Sequence, residues 1–188
     1  DDMMRRGKAS TWAEYGEDIG VLTGDALMMY AFETAANAFE TSIDPDELSR
    51  IGRAMGILAR KTGVYGMIGG QTVDVELAGG PIPGDKLEFI YRLKTGALIE
   101  ASMLIGAVLG GAAEEDCKIV ESLAAKIGMA FQIQDDILDV TGSQDVTGKP
   151  SGSDEKNKKT TYVTLEGLEK AKKDVEQIST EAIEELNK

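Results

Sequence analysis

The sequence predicts an all-α fold, because helical patterns of apolar residues fill most of its 188 residues and no stretch alternates as a strand does. No period of 20–50 residues repeats, which argues against a solenoid or repeat protein. We therefore expect a single helical domain over residues 1–188. Its helices are expected near residues 12–40, 46–62, 64–78, 85–110, 114–140 and 160–187.

Turn signals and glycine pairs separate these predicted helices. Asp44 followed by Pro45 has the form of an N-cap with proline at the first helical position. Residues 85–88 resemble a capping box with Asp in place of Ser or Thr. The glycine pairs at 69–70 and 110–111 are expected to end helices or to let two helices approach closely.

Composition excludes several classes of function. The net charge of −13 argues against nucleic acid or an anionic membrane as the main partner, although solubility alone would also explain it. There is no histidine, so Ser-His-Asp catalysis, Cys-His catalysis and histidine-based zinc sites are excluded. Cys117 is the only cysteine, which predicts a reducing compartment, and we expect the cytoplasm. No pattern predicts a signal peptide or a membrane anchor.

One side of the predicted 114–140 helix carries three carboxylates and an amide. At about 100° per residue, Gln132, Asp135, Asp136 and Asp139 fall within an arc of roughly 100°. The opposite side consists of Leu123, Ile127, Ala130, Phe131, Gln134, Ile137 and Leu138. Three like charges so close repel one another, so a cation should lie against them, and Mg²⁺ suits carboxylate oxygens. With lysines beyond the end of the helix to bind phosphate, the pattern indicates a diphosphate site.

A lysine and an aspartate stand where the helical pattern calls for apolar residues. The face around Lys94 consists of Leu87, Ile90, Tyr91, Ala97, Leu98 and Ala101. Asp25 shares a face with Val21, Leu22, Met29 and Phe32. An unpaired buried ammonium is costly, so Lys94 should point into a central cavity toward the acidic helix and meet an anion there. Thr95 lies beside it and Gly96 leaves room for close approach. Alternatively, Lys94 reaches the surface or pairs with a buried acid such as Asp25.

Two further clusters are ambiguous by themselves. Arg5-Arg6-Gly7-Lys8 follows two aspartates, and adjacent arginines can clamp two phosphoryl groups bidentately. A short basic cluster is more often a solvated surface, however. Gln71 and Asp74, three residues apart on a predicted helix, form either part of a site or an ordinary exposed pair.

Together these segments carry a resemblance to one family. Residues 131–139 resemble the second aspartate-rich motif of the trans-isoprenyl diphosphate synthases, the farnesyl and geranylgeranyl diphosphate synthase (polyprenyl synthetase) family. Five further blocks resemble that family in its own order, over residues 1 to roughly 180. They are Arg5-Arg6-Gly7-Lys8, Gly24-Asp25-Ala26-Leu27, Gly70-Gln71 with Asp74, Lys94-Thr95-Gly96-Ala97-Leu98, and Gly148-Lys149 through Lys159-Thr160-Thr161-Tyr162.

The resemblance implies a role for each matching residue. Asp135 would be the principal Mg²⁺ ligand, with Asp136 and Asp139 completing or orienting its shell and Asp74 binding Mg²⁺ from the opposite helix. The groups that hold the allylic diphosphate would be Arg5, Lys94, Thr95, Gln132 and Lys149. Lys94, Thr95, Gln132 and Lys149 would thereby take part in catalysis. Arg6 would contact isopentenyl diphosphate. The remaining implied contacts are Gln71 at the substrate, Lys159 near the allylic diphosphate and Asp154 behind the metal site.

It also implies an activity and a fold. The fold would be an isoprenoid synthase-type helical bundle around a central cavity, present here in part. The reaction would be head-to-tail 1′-4 condensation of an allylic diphosphate with isopentenyl diphosphate, giving farnesyl or geranylgeranyl diphosphate, with Mg²⁺ as cofactor and Mn²⁺ as a substitute. A homodimer is expected. No protein nucleophile is required, in agreement with the absence of histidine.

The sequence departs from the family pattern at its beginning. The family's first aspartate-rich motif precedes the paired arginines, and only Asp1 and Asp2 stand there. We therefore expect a central-to-C-terminal portion of a synthase, truncated at both ends, whose activity on its own is doubtful. The alternatives are a non-catalytic partner subunit of a two-component prenyl synthase and a terpene cyclase. The cyclase would typically carry an Asn-Asp-x-x-Ser-x-x-x-Glu motif, which is absent.

Overall fold

The chain forms a bundle of helices. A computed structural model describes residues 3–5, 7–142 and 159–187. A two-strand antiparallel hairpin, β1 (Met4–Arg5) with β2 (Lys8–Ala9), precedes the helices. The helices are α1 (Thr11–Tyr15), α2 (Glu17–Ala36), α3 (Ala38–Thr41), α4 (Pro45–Thr62), α5 (Met67–Glu76), α6 (Gly84–Ile90), a π-helical turn (Tyr91–Gly96), α7 (Ala97–Leu109), α8 (Glu114–Thr141), α9 (Tyr162–Glu166) and α10 (Leu168–Leu186). The all-α prediction is confirmed for this part of the chain.

The starts of two helices are predicted from local sequence signals, and one of the two predictions is wrong. Asp44 caps α4 as expected: its carboxylate accepts from the Asp46 N–H at 3.1 Å, and Pro45 is the first helical residue. The capping box at 85–88 is wrong, because α6 already begins at Gly84, after Pro83, without a side-chain cap. Proline fixes the extended backbone that precedes the helix, so Asp85 lies inside the first turn.

Two of the expected long helices are interrupted. The one expected over 12–40 breaks at Gly16, whose φ of +94° suits only glycine, and again at Asn37. The one expected over 85–110 contains the π-helical turn Tyr91–Gly96. A π-helical turn holds more residues than an α-helical one and rotates the residues after it. The expected apolar face around Lys94 is nevertheless confirmed for five of its six residues, which are buried on both sides of the turn, and Leu98 alone among them is 38% exposed.

Helix α8 is at the centre of the packing and contacts α7, the π-helical turn, α9 and α10. The main apolar cluster joins the loop before α6, α6, the start of the π-helical turn, α8 and α10. Its buried members are Ile82, Leu87, Ile90, Tyr91, Ile133, Ile137 and Ala171. A second cluster joins α7 and α8 through Leu104, Val108 and Cys117. Cys117 is thus a buried core residue, which suits a thiol with no catalytic partner.

The side of α8 opposite its carboxylates is covered only in part. Leu123 and Ala130 are buried there, whereas Phe131 is 58% exposed. These residues line a groove between α8 and α10 that is open to solvent. In α8 the acidic side therefore faces the interior as much as the apolar side does.

The expected buried face around Asp25 is wrong. Asp25 is exposed, and its neighbours Val21, Leu22 and Met29 are 60%, 60% and 66% exposed. Helix α2 packs against α1, α3 and α4, which leave this face uncovered among the described residues. In the same part of the chain, no helix is both long and apolar enough to span a membrane.

Candidate functional site

The π-helical turn presents two polar side chains to two different helices. The Lys94 ammonium contacts the Asp74 carboxylate of α5, with 2.5 Å between Nζ and Oδ2. The adjacent Thr95 hydroxyl donates to the Gln132 side-chain oxygen of α8 at 2.8 Å. Lys94 and Thr95, which are consecutive residues of one turn, therefore link α5 to α8 through polar contacts. The packing on either side of them is apolar.

Two glycines let the backbones come close enough for these contacts. A Cβ on Gly70 of α5 would lie 2.4 Å from the Lys94 backbone nitrogen, and one on Gly128 of α8 would lie 2.8 Å from Gly96 Cα. Both distances are shorter than van der Waals contact. Helices α5 and α8 can therefore pack this closely against the π-helical turn only with glycine at these positions. The expectation of close approach is confirmed for Gly70, whereas a Cβ on Gly96 would meet only the Tyr91 carbonyl oxygen, at 3.3 Å, and the glycine that approaches Gly96 is Gly128.

The partner of Lys94 differs from the one expected. Its ammonium meets an acid of α5 rather than the acidic helix, and pairing with Asp25 is excluded because Asp25 is exposed elsewhere. The pair is partly open to water, with 35% of the Lys94 side chain and 16% of the Asp74 side chain exposed. An ammonium has three donors, so a single carboxylate leaves Lys94 capacity for another anion.

The three carboxylates of α8 have two different environments. Asp135 and Asp139, one helical turn apart, are half-buried. Asp136 is only 3% exposed, and its Oδ2 accepts from the Tyr91 hydroxyl and from the Tyr162 backbone N–H. The repulsion expected among three neighbouring carboxylates is thus reduced, since one of them turns into the core toward two donors.

A divalent metal fits the two remaining carboxylates. Among the described residues no group of three or more His, Cys, Asp or Glu side chains is placed to hold a metal ion. Mg²⁺ does not need such a cage: it is commonly bound by one or two carboxylates, with waters and substrate phosphates supplying the rest. Asp135 and Asp139 offer hard oxygen donors of that number on successive turns of α8.

The other expected site residues lie on several different elements. Gln71 is exposed on α5, one turn before Asp74. Lys159 is half-buried and directly precedes Thr160, whose hydroxyl oxygen accepts from the Ile82 N–H at 3.1 Å. Arg5 lies in β1, but its side chain is not among those described. Arg6, Lys149 and Asp154, with Asp1 and Asp2, lie outside the described residues.

Sequence reasoning missed the contacts of Tyr91 and Tyr162. Tyr91 is one of the residues expected on the apolar face around Lys94, and it is buried, at 3% exposure. A buried tyrosine hydroxyl nearly always finds a partner, and Asp136 is the acid that it contacts. The signal available in the sequence was therefore a tyrosine at a core position, without an indication of which carboxylate would meet it.

An ammonium and a hydroxyl on one turn, with an amide beside them on a helix that also carries two half-buried carboxylates, are groups of the kind that bind phosphate and a metal ion, and a helical bundle with such groups defines the class of this protein. A sequence profile of the polyprenyl synthetase family matches residues 1–188. The large subunit 1 of a heterodimeric geranylgeranyl pyrophosphate synthase from Arabidopsis thaliana is 41% identical over 189 residues. The farnesyl diphosphate synthase of Geobacillus stearothermophilus is 39% identical over 172 residues. The chain belongs to the polyprenyl synthetase family.

These alignments cover 99% and 92% of this chain but 50% and 57% of the two relatives, so the chain spans about half the length of the proteins it matches. Among solved structures, a geranyltransferase from Helicobacter pylori complexed with magnesium and isoprenyl diphosphate has a TM-score of 0.85 at 34% identity. That match covers 98% of this chain and 59% of the other. The predicted isoprenoid synthase-type helical fold is confirmed.

Proposed function

We propose that the protein is a prenyltransferase that condenses an allylic diphosphate with isopentenyl diphosphate head to tail, giving farnesyl or geranylgeranyl diphosphate. The observation that carries this proposal is the π-helical turn, which places Lys94 and Thr95 between α5 and the carboxylate-bearing α8. Relatives named as farnesyl and geranylgeranyl synthases support the same class of reaction. The choice between the two products stays open.

Asp135 and Asp139 would hold Mg²⁺, and Mn²⁺, with the same preference for oxygen ligands, is the expected substitute. When bound, such an ion supplies positive charge to the diphosphate leaving group. A relative solved with magnesium and isoprenyl diphosphate supports this cofactor. Asp74 would contribute from α5, where it already orients Lys94.

The side chains of this chain would bind and orient the diphosphate. Lys94 donates as a point charge and Thr95 as a hydroxyl, with Gln132 fixing the rotamer of Thr95 through their hydrogen bond. Lys159, near the start of α9, adds positive charge, and Gln71 is positioned to contact substrate from the exposed side of α5. Arg5, Arg6 and Lys149 are the further phosphate ligands that the sequence predicts.

The chemistry then needs position and charge rather than a protein nucleophile. The allylic C–O bond breaks as diphosphate departs, the double bond of isopentenyl diphosphate attacks the allylic cation, and loss of a proton completes the new double bond. Carbocations react with water, so the site must exclude it. The absence of histidine in the sequence and the burial of Cys117 agree with this scheme.

A partner subunit is the second candidate. One relative is named as the large subunit of a heterodimeric synthase, which makes assembly with a second chain a real alternative to the homodimer we expect. A non-catalytic subunit would bind a partner chain without turning over the two diphosphates. The single-domain organisation and the cytoplasmic location stay predictions, and several relatives are named as chloroplastic.

The decisive variant is Asp135→Ala in the complete product of the gene. Loss of one of two metal-binding carboxylates should lower turnover of allylic and isopentenyl diphosphates at least about a hundredfold, because charge on the leaving group is no longer neutralised. The variant should still fold, since Asp135 is half-buried and is not part of the apolar core.

The matched control is Asp116→Ala, an exposed aspartate in the first turn of the same helix, which should keep full activity. Turnover by Asp135→Ala equal to that of the control would contradict the assignment. A wild-type protein that binds another chain but shows no turnover with Mg²⁺ and both diphosphates would favour the partner subunit instead.

A further inference from the structure

Asp136 is a buried carboxylate that stands next to a proposed metal ligand and yet faces away from solvent. It is 3% exposed, directly precedes the buried Ile137 on α8 and contacts Tyr91, a member of the main apolar cluster. A carboxylate in such a place is costly unless several donors satisfy it. The donors that contact its Oδ2 belong to two other segments of the chain. Asp136 therefore connects α8 to both of these segments.

The first donor is the Tyr91 hydroxyl, 45 residues away in sequence. Tyr91 is buried and is the first residue of the π-helical turn that carries Lys94 and Thr95. Its side chain therefore fixes the start of the turn against α8, while the Thr95–Gln132 hydrogen bond fixes the end. The two contacts set the rotation of the turn relative to the acidic helix.

The second donor is the backbone N–H of Tyr162, at 2.8 Å from Asp136 Oδ2 and 3.1 Å from the Tyr91 hydroxyl. Tyr162 is the first residue of α9, whose N-cap Thr161 forms a reciprocal capping box with Thr164. Just before it, Thr160 accepts from the Ile82 N–H. Residues 160–162 are thus held at two points, and Lys159 adjoins them.

We propose that Asp136 is a positioning residue: it joins α8, the π-helical turn and the start of α9, and so sets Lys94, Thr95 and Lys159 relative to Asp135 and Asp139. On this proposal Asp136 does not bind the metal, so of the two roles that the resemblance left open, completing the metal's shell or orienting it, only the second applies. Tyr91 acts with Asp136 as one unit. The proposal rests on the proposed function for its catalytic consequence but on the geometry alone for its structural one.

The test compares Asp136→Asn, Tyr91→Phe and their double variant with Asp135→Asn in the complete gene product. If Asp136 positions, the Mg²⁺ concentration for half-maximal activity should stay within about twofold of wild type in Asp136→Asn and Tyr91→Phe, while kcat/KM for the allylic diphosphate falls about 10- to 100-fold. Asp135→Asn should instead raise the Mg²⁺ requirement. The double variant should be no worse than the less active single variant, as expected of residues that act together.

A second measurement does not depend on activity. Amide hydrogen exchange of the 160–164 segment should become about five- to tenfold faster in Asp136→Asn and in Tyr91→Phe, and should be unchanged in Asp135→Asn. Tyr91→Phe keeps the ring in the core and should fold even if Asp136→Asn does not.

Unchanged exchange in Tyr91→Phe, or a Mg²⁺ requirement raised as much by Asp136→Asn as by Asp135→Asn, would overturn the positioning role. An inactive wild type with the expected exchange pattern would overturn the proposed function and leave the junction standing.

Discussion

Lys61 and Lys94 each form an ion pair between elements of the bundle, and they are paired differently. Lys61 on α4 contacts Glu100 of α7 and, at 3.1 Å, Glu121 of α8. Lys94 contacts Asp74 alone among the described residues. The Lys61–Glu100 pair has side-chain exposures of 19% and 9%, whereas the Lys94–Asp74 pair has 35% and 16%.

The difference separates an ion pair that stabilises the fold from one that is suited to a ligand. Two carboxylates more than neutralise the Lys61 charge, and Glu100 is buried, so this lysine has no reason to attract a further anion. One carboxylate only balances the Lys94 charge, and the greater exposure leaves its remaining donors accessible. A lysine with fewer partners, on a turn that also contacts the helix carrying Asp135 and Asp139, is therefore the better candidate for phosphate.

The variants Lys94→Met and Lys61→Met test this comparison. Each keeps the approximate length of the side chain and removes its charge. Lys94→Met should lower kcat/KM for the allylic diphosphate about 10- to 100-fold, the loss expected for a charged hydrogen bond to phosphate. It should destabilise the protein by only about 1 kcal/mol, because its pair is partly exposed.

Lys61→Met should show the reverse: activity within about threefold of wild type, with a stability loss of about 3 kcal/mol because buried Glu100 is left unpaired. Chemical denaturation and steady-state kinetics of both variants decide the matter. If the two variants lost activity and stability in the same proportion, the two lysines would not have different roles.

Sequence reasoning reached the elements whose cause is local. The Asp44–Pro45 start of α4 depends on residues two apart, and the glycine at 70 could be recognised as a place of close approach. It did not predict the π-helical turn or the identity of the acid that Lys94 meets. Those depend on how α5 and α8 pack against the turn.

Asp136 shows the same limit within a single helix. A helical projection places it on one side with Asp135 and Asp139, and it does lie on that side of α8. Whether that position faces solvent or core is decided by Tyr91 and Tyr162, 45 and 26 residues away. Three aspartates at this spacing therefore predict a polar face without telling which member is accessible to a metal.

The close packing around Lys94 can be probed by adding a single methyl group. Gly128→Ala would place a Cβ 2.8 Å from Gly96 Cα and should push α8 away from the π-helical turn, destabilising the protein by about 1–3 kcal/mol. The Thr95–Gln132 hydrogen bond spans the same gap, so KM for the allylic diphosphate should rise as well.

The control lies in α4, the helix that carries Lys61. A Cβ on Gly52 meets nothing within 4 Å, so Gly52→Ala should stabilise the helix by about 0.5–1 kcal/mol and leave KM unchanged. Thermal unfolding measures both. A Gly128→Ala variant as stable as wild type would mean that the helices can separate at no cost and that their spacing does not define the site.

The smallest expected effect is a loss of stability at alkaline pH that Lys61 causes. Burial lowers the pKa of its ammonium, but the hydrogen bonds and charges of Glu100 and Glu121 outweigh burial and raise the pKa above the usual 10.5. A lysine whose pKa is raised by folding contributes stability that is fully present below the unfolded pKa and is lost as pH rises through the folded one. Wild type should therefore keep its advantage over Lys61→Met up to the usual lysine pKa of 10.5 and lose it as pH rises further. Tyr162, whose pKa is raised by burial and then by Asp174, titrates in both proteins and cancels in the difference. Denaturant titrations of the pair at each pH measure that difference directly, and a difference that stays constant with pH would show that Lys61 does not gain its charge stabilisation from these two acids.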